Sequence, residues 1–450
     1  MADSKTEHIK QKIYSTLDKT TEFYHFAPID GELSGKNFPT NLTLMTLTYL
    51  LDRNHLLIGE PGWGKTTAAK ITAACYSGLP YDLYDALEMR GNPQKYEEKL
   101  IARPDYSQLA KGSERVVWQG TFGLSAIIVD EINRLPYETQ DVILQGIDTG
   151  RWNYLNESLY EGKKPTFATM NYRPEENNGL LPALNDRLDI VTEERYYSTF
   201  DVFNYSRALQ SREKELCKPD FTQKALDSLK AGFPRFKEVI ATRPLEGYLT
   251  HDEKSRVLAE VQSITVSNDA WLFLQAFIAE INYSEKYGTK RSNDPKSDDN
   301  HDKNYAGVDV AHSFSPRSAG SALDYSRALA WFLGDKEVTV DHVRFILPFV
   351  FAPKAKFHSD FKNKHGNDQR QDCEMIFLAK TLVTDVHGRY VKCIQPARNL
   401  IAKMQKGELS EAELKALNAK QHDHPLMKDM INAAKTGVAK PFYEGILRKK

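Results

Sequence analysis

The chain has 450 residues, 41% of them hydrophobic and 27% charged, with 60 Lys and Arg against 61 Asp and Glu for a formal net charge of −1. This length exceeds one ordinary hydrophobic core and implies two or three domains. The charge balance excludes a chain that binds polyanions along its whole length, and no apolar run approaches the roughly 20 residues that span a bilayer.

Residues 1–34 begin with MADSKTEHIKQK, which lacks the apolar centre of a secretory signal. They read as a polar helix followed by a loop at APIDGELSGKNFP. The four cysteines, Cys75, Cys217, Cys373 and Cys393, form no C-x-x-C pair. That spacing fits free thiols in a reducing compartment, so a cytoplasmic location is expected.

Over residues 35–198, strand-like and helix-like segments alternate. This argues for an α/β core, a parallel sheet covered on both faces by helices. Its first signal is LLIGEPGWGKTTAAK, Leu56 to Lys70. A short buried-strand run ends at Gly59, and GEPGWGKT fits G-x-x-x-x-G-K-[ST] ahead of a helix. Backbone N–H groups of such a turn and of the first helical turn converge on one point and favour an anion there. The cradle would be Gly59, Glu60, Pro61, Gly62, Trp63, Gly64, Lys65, Thr66 and Thr67. Gly62 and Gly64 let the backbone curl around phosphate oxygens. Lys65 would reach the β- and γ-phosphates, and the Thr66 hydroxyl would hold Mg²⁺. Trp63 is bulky for its place; it either packs against a neighbour or covers the loop.

The second signal is SAIIVDEINR, where a buried-strand run over Ser125–Val129 ends in Asp130 and Glu131. A carboxylate at that edge suits Mg²⁺, a task for Asp130. Glu131 suits the polarisation of a water for in-line attack. The third is PTFATMNYRP, in which a strand delivers Asn171 to the same edge. A neutral amide there can hold the attacking water or a γ-phosphate oxygen; the plainer reading is a turn-forming Asn.

Together with LLPALNDRLDI, these segments resemble an AAA+ ATPase, and within that class the MoxR family. SPRSAGSALDYSRALAWFLGDKEVTVDHVRFILPFV resembles the lid helices of that family. The resemblance covers roughly residues 35–200 and 250–352. It implies ATP and Mg²⁺ as ligands, Lys65 and Thr66 as the P-loop pair, and Asp130 and Glu131 as the Walker B pair. Asn171 is similar to sensor 1, and Arg317, in SPRS, to sensor 2, contacting the γ-phosphate from the lid. Arg187, in NDRLD, resembles the arginine finger that reaches a neighbouring subunit's nucleotide; Arg151 and Arg134 also stand in family-like positions, and a surface ion pair of Arg187 with Asp186 or Asp189 is the alternative. A guanidinium acting in trans would make hydrolysis depend on assembly. Trp63 departs from the small or aliphatic residue usual at its position.

From about residue 199 the pattern turns to helical periodicity, expected to form an all-helical lid over 199–352. The polar stretch 284–312 interrupts it and reads as a mobile loop. Residues 353–450 read as a basic, mostly helical extension; 351–450 carry 19 Lys and Arg against 11 Asp and Glu. Ser410 and Glu413 stand in capping-box spacing, and His422 and His424, in QHDHP, read as part of a solvated loop rather than a metal pair.

The resemblance implies a homo-oligomeric, hexameric ring hydrolysing ATP as a chaperone-like motor. It would remodel, mature or activate a client enzyme complex, often beside a protein with a von Willebrand factor A domain. Two alternatives stay open: an ATP-dependent assembly scaffold or switch with slow hydrolysis, and a nucleic-acid-dependent motor. The second has only the basic tail in its favour, because no aromatic-and-basic stacking platform is visible.

Overall fold

The structure is a computed structural model. It describes residues 4–24, 28–93, 97–106, 115–172, 180–195, 201–284, 288–289, 305–311, 314–365, 373–406, 408, 410–420 and 423–436. The chain forms two compact units, residues 1–263 and 264–450.

The first unit is built on five parallel strands: β1 (Asn54–Ile58), β2 (Met89–Arg90), β3 (Ile127–Asp130), β4 (Thr166–Met170) and β5 (Ile190–Glu193). Their order across the sheet is β5-β1-β4-β3-β2. Every residue of β1 is buried, and so are Ile127, Ile128 and Val129 of β3 and Phe167 and Ala168 of β4. Apolar runs without alternation are what a parallel sheet flanked by helices requires. Helices α2 (Thr40–Leu51) and α3 (Lys65–Ser77) pack against it. The register sets Met170 beside Ile58, and Ala168 beside both Leu56 and Val129. The C-terminal ends of β1, β3 and β4 therefore meet at one edge.

The N-terminal helix α1 (Ser4–Phe23) is polar by composition, but Ile9, Ile13 and Leu17 recur every four residues and are all buried. The segment expected to be a loop pairs as an antiparallel hairpin, Ile29–Leu33 with Lys36–Pro39. Ser34 and Gly35 turn it with φ of 54° and 69°, the double positive φ of a tight hairpin turn. A second hairpin, Arg151–Tyr154 with Glu157–Tyr160, stands between helix α4 (Tyr137–Thr149) and β4. Short helix α5 (Pro182–Arg187) leads into β5. The helices between 201 and 263 belong to this unit. Their last, α6 (His251–Ser263), ties to α1 through Lys12–Glu253 at 2.8 Å and to the end of α2 through Lys254–Asp52 at 2.5 Å.

The second unit packs α7 (Asn268–Asn282), α8 (Pro316–Leu333), α9 (Val340–Phe351), α10 (Glu374–Arg389) and α11 (Pro425–Thr436). Ser267 and Ser315 cap α7 and α8, each side chain accepting from the backbone N–H three residues on. The unit is not purely helical, since Thr265–Val266 pairs in parallel with Glu337–Val338. Ser410 and Glu413 form the expected reciprocal cap. Most of 284–312 lies outside the described residues, as do His422 and 437–450. His424 is not solvated: it is 1% exposed and bonds Glu280 at 3.0 Å. Among the described residues no helix is long and apolar enough to cross a membrane.

Candidate functional site

The site begins where β1 ends. Gly62 and Gly64 take φ of 84° and 87°, a left-handed geometry that costs a residue with a Cβ roughly 1 kcal/mol. Gly64 caps α3, so Lys65 is its first residue and the unpaired N–H groups of that turn face the loop. Lys65 is 6% exposed. Its Nζ donates to Gly59 O at 3.0 Å, Glu60 O at 2.9 Å and Asn171 Oδ1 at 2.8 Å. Burial lowers its pKa, opposed by the charges of Asp130, Glu131, Glu194 and Glu60. Trp63 packs edge-on to Tyr172, with ring centroids 6.3 Å apart.

Asp130 ends β3 and receives two hydroxyls on Oδ1, from Thr66 at 2.5 Å and from Thr169 at 2.7 Å. Glu131 has a left-handed backbone at φ 49°, uncommon outside glycine. Thr169 secures that conformation by accepting the Glu131 N–H at 2.9 Å. Gly91, after β2, permits it, because a Cβ there would stand 2.0 Å from Glu131 O. The Glu131 carboxylate accepts from Asn171 Nδ2 at 3.0 Å and from Arg134 at 2.7 Å.

Lys65, Thr66, Asp130, Glu131 and Asn171 thus form one hydrogen-bonded cluster at the edge where three strands end. Thr169 and Gly91 belong to it and were missed by sequence reasoning. Thr169 was discoverable: in a strand that delivers Asn171 to the edge, the residue two positions earlier shares its face. Gly91 carries no signal short of the fold.

The three arginines separate. Arg134 is paired with Glu131 of its own chain. Arg151 is an exposed residue of the second hairpin and donates to Ser158 at 3.1 Å. Arg187 ends α5, donates to Ala183 O at 3.0 Å, and sets Nε 3.5 Å from Asp148 Oδ2. Asp189 is engaged otherwise, by Arg53 at 3.4 Å and by the Asn54 N–H at 2.9 Å. Arg317 lies in the second unit, in the first turn of α8 directly after Pro316.

The oxygen donors suit the metal implied by the loop. Thr66 Oγ1 and Asp130 Oδ1 are adjacent, hard and neutral-plus-anionic. Mg²⁺ is usually held by such a sparse set, with phosphates and water completing the octahedron. Among the described residues no group of three or more His, Cys, Asp or Glu could hold a metal without such help.

Residues 54–188 match the family model described as AAA domain (dynein-related subfamily), and residues 305–373 match the AAA lid domain. A curated relative, the transcriptional regulatory protein LevR of Bacillus subtilis, is 30% identical over 115 residues, 24% of this chain. The chain spans only 12% of that relative's length. A crystal structure described as a "putative ATPase" from Cytophaga hutchinsonii is similar in fold, with a TM-score of 0.56 at 14% identity, covering 85% of this chain and 97% of that one.

Proposed function

We propose that the chain, whose residues 54–188 and 305–373 match an AAA domain and an AAA lid domain, is a MoxR-like, ring-forming AAA+ ATPase that hydrolyses ATP to remodel a partner protein. The observation that carries the hydrolytic half is Asn171, which joins the phosphate-loop lysine to the carboxylate of Glu131. A binding switch needs the lysine; only hydrolysis needs the acid and the amide as well.

In this reading the phosphates displace the Lys65 Nζ from the loop carbonyls, and the lysine moves its charge to the β- and γ-oxygens. Thr66 and Asp130 would hold Mg²⁺, which supplies charge neutralisation at the phosphates when bound. Asn171, released by Lys65, turns its carbonyl to the attacking water while Glu131 accepts that water's proton. Arg187 acts from the neighbouring subunit, and Arg317 approaches the γ-phosphate from the lid. Such a trans contribution ties turnover to a closed ring, taken here as hexameric. The strain of each cycle is delivered to a client enzyme complex, with a von Willebrand factor A domain protein as adaptor.

The test is capture with Glu131→Gln as bait, which should hold ATP without cleaving it. A protein with a von Willebrand-type domain or a metalloenzyme subunit, retained with ATP and lost without it, is the expected result. Self-association alone, or nucleic acid in place of protein, would contradict the remodelling role.

A further inference from the structure

A cavity of about 340 Å³ lies in the first unit, between α1, the C-terminal end of α3, the end of the helix Asp201–Glu215 and the loop at 245–247. That volume falls within the roughly 300–1,000 Å³ of small-molecule sites. The cavity stands away from the phosphate loop. Cys75 in its wall and Lys65 are near opposite ends of α3, about 15 Å apart along the axis at the usual helical rise. Its walls are tied in place. Leu216 O accepts the Tyr81 N–H at 2.9 Å, and the Leu245 N–H donates to Gly78 O at 3.2 Å. Lys12 of α1 is held by Glu253 at 2.8 Å.

The lining divides by depth. Thr16, Phe23, Leu216 and Leu245 are buried. The Thr16 hydroxyl is already bonded to Lys12 O at 2.8 Å, so this floor presents hydrocarbon. Burial pushes the Cys75 thiol up to about 12, which keeps it protonated and makes it a wall rather than a nucleophile. At the rim, Lys19 and Lys214 are exposed and Lys218 is half-buried. Among the described residues no ion pair engages these three ammonium groups. The acids of the lining are Glu215 and Glu246, both exposed. With Lys12 committed to Glu253, three lysines face two glutamates, and the rim keeps a positive excess.

An apolar floor under a cationic rim suits a ligand of the same polarity, hydrocarbon at one end and negative charge at the other. Lysine stems can cover the apolar part while their heads meet the anion. We propose that this cavity is a second ligand site, separate from the phosphate loop, that binds a small organic anion: a ring or short hydrocarbon body carrying one carboxylate or phosphate. The body rests on Phe23, Leu216 and Leu245, and Lys19 and Lys214 bind the head group. The site stands whether or not residues 59–67 hold phosphate.

The test is a ligand-observed fluorine NMR titration of the full chain with 4-fluorophenyl phosphate and with 4-fluorobenzoate. It runs to about 10 mM, which covers the affinities of ligands this small. At least one of the two should bind, and the tighter identifies the head group. 4-Fluorobenzyl alcohol keeps the body without the charge and should bind at least about tenfold more weakly, the scale of a lost hydrogen bond to a charged group. Lys19→Glu together with Lys214→Glu, both at exposed positions, should weaken the anion by about tenfold or more, with little change for the alcohol. Ser15→Trp, at an exposed lining position of α1, should block the anion by filling the cavity; it serves as the readout if the charge-reversed chain does not fold. The imido analogue of ATP with Mg²⁺ should displace neither anion. No binding over that range, equal binding of the alcohol, or displacement by the ATP analogue would overturn the proposal. So would an affinity that survives the charge reversal or Ser15→Trp, because the anion would then bind elsewhere.

Discussion

Lys65 Nζ lies 2.8 Å from Asn171 Oδ1, and the other end of the same amide holds Glu131. One amide therefore joins the proposed binding group to the proposed cleavage group, and substitution should separate the two functions. Lys65→Ala should lose nucleotide affinity. Asn171→Ala should keep affinity within a few-fold while turnover falls roughly 10- to 100-fold, the scale expected for one preorganised polar group. Steady-state kinetics beside equilibrium binding check this; a matched loss of both in Asn171→Ala would count against it.

Arg187 donates to Ala183 O at 3.0 Å, while its Nε stands 3.5 Å from Asp148 Oδ2 without a hydrogen bond. Arg187→Ala should bind ATP and turn over at least 100-fold more slowly, given what trans guanidinium groups contribute. Mixing it with Glu131→Gln subunits should restore part of the rate, because some interfaces regain both native halves. Asp148→Asn should leave turnover within about threefold, as for a weak ion pair.

Glu194 predicts the pH dependence of stability. Its carboxyl is raised to about 7 by burial, above its value in the unfolded chain. The native state then binds the proton more tightly, so this group's contribution is fully present below the unfolded value and is lost as pH rises through about 7. Glu194→Gln should flatten the decline in melting temperature across that window, measured by thermal unfolding of the two chains in parallel. A decline as steep in the variant would contradict it.

In the second unit, Glu280 is fully buried and accepts from Arg389 at 2.6 Å, from His424 at 3.0 Å and from the Ala306 N–H at 3.3 Å. His424 Nδ1 accepts the Leu426 N–H at 3.1 Å, so the proton facing Glu280 is on Nε2. Arg389→Met leaves a buried carboxylate short of its cation and should cost about 3–5 kcal/mol. Glu280→Gln together with Arg389→Met should recover part of that loss. Chemical denaturation of the single and double variants measures it.

Gly91 is a steric test of the Glu131 backbone. A Cβ would meet Glu131 O at 2.0 Å, closer than any relaxation of a side chain could relieve. Gly91→Ala should slow turnover by at least tenfold while leaving Lys65 and the nucleotide affinity intact; each tenfold is about 1.4 kcal/mol of misplacement. Unchanged kinetics would mean that Glu131 does not need its left-handed conformation.

The parts legible in the sequence were those encoded locally. A strand, a glycine turn and a helix start are written within Leu56–Lys70, and the strands ending at Asp130 and before Asn171 announce themselves as apolar runs. Parallel strands with their C-terminal ends at one edge then bring those residues together without further information. What was not legible depends on distant pairs. The hairpin at Ile29–Pro39 turns on a non-glycine residue, Ser34, with positive φ. The burial of His424 depends on Glu280, 144 positions earlier, so a polar QHDHP stretch reads as solvated. The buried setting of Glu194 depends on Tyr24, 170 positions away. Helices 201–263 join the first unit through contacts such as Lys12–Glu253, 241 positions apart, which periodicity does not reveal.

The measurement that tests the central claim most directly is ATP turnover with Mg²⁺ by the wild-type chain and Glu131→Gln, alongside ATP binding by both. The account predicts that both bind ATP and that the variant's turnover falls by about two orders of magnitude or more, the scale of a lost general base. Equal turnover in the two chains would contradict it, because the carboxylate held between Asn171 and Arg134 would then have no part in cleavage.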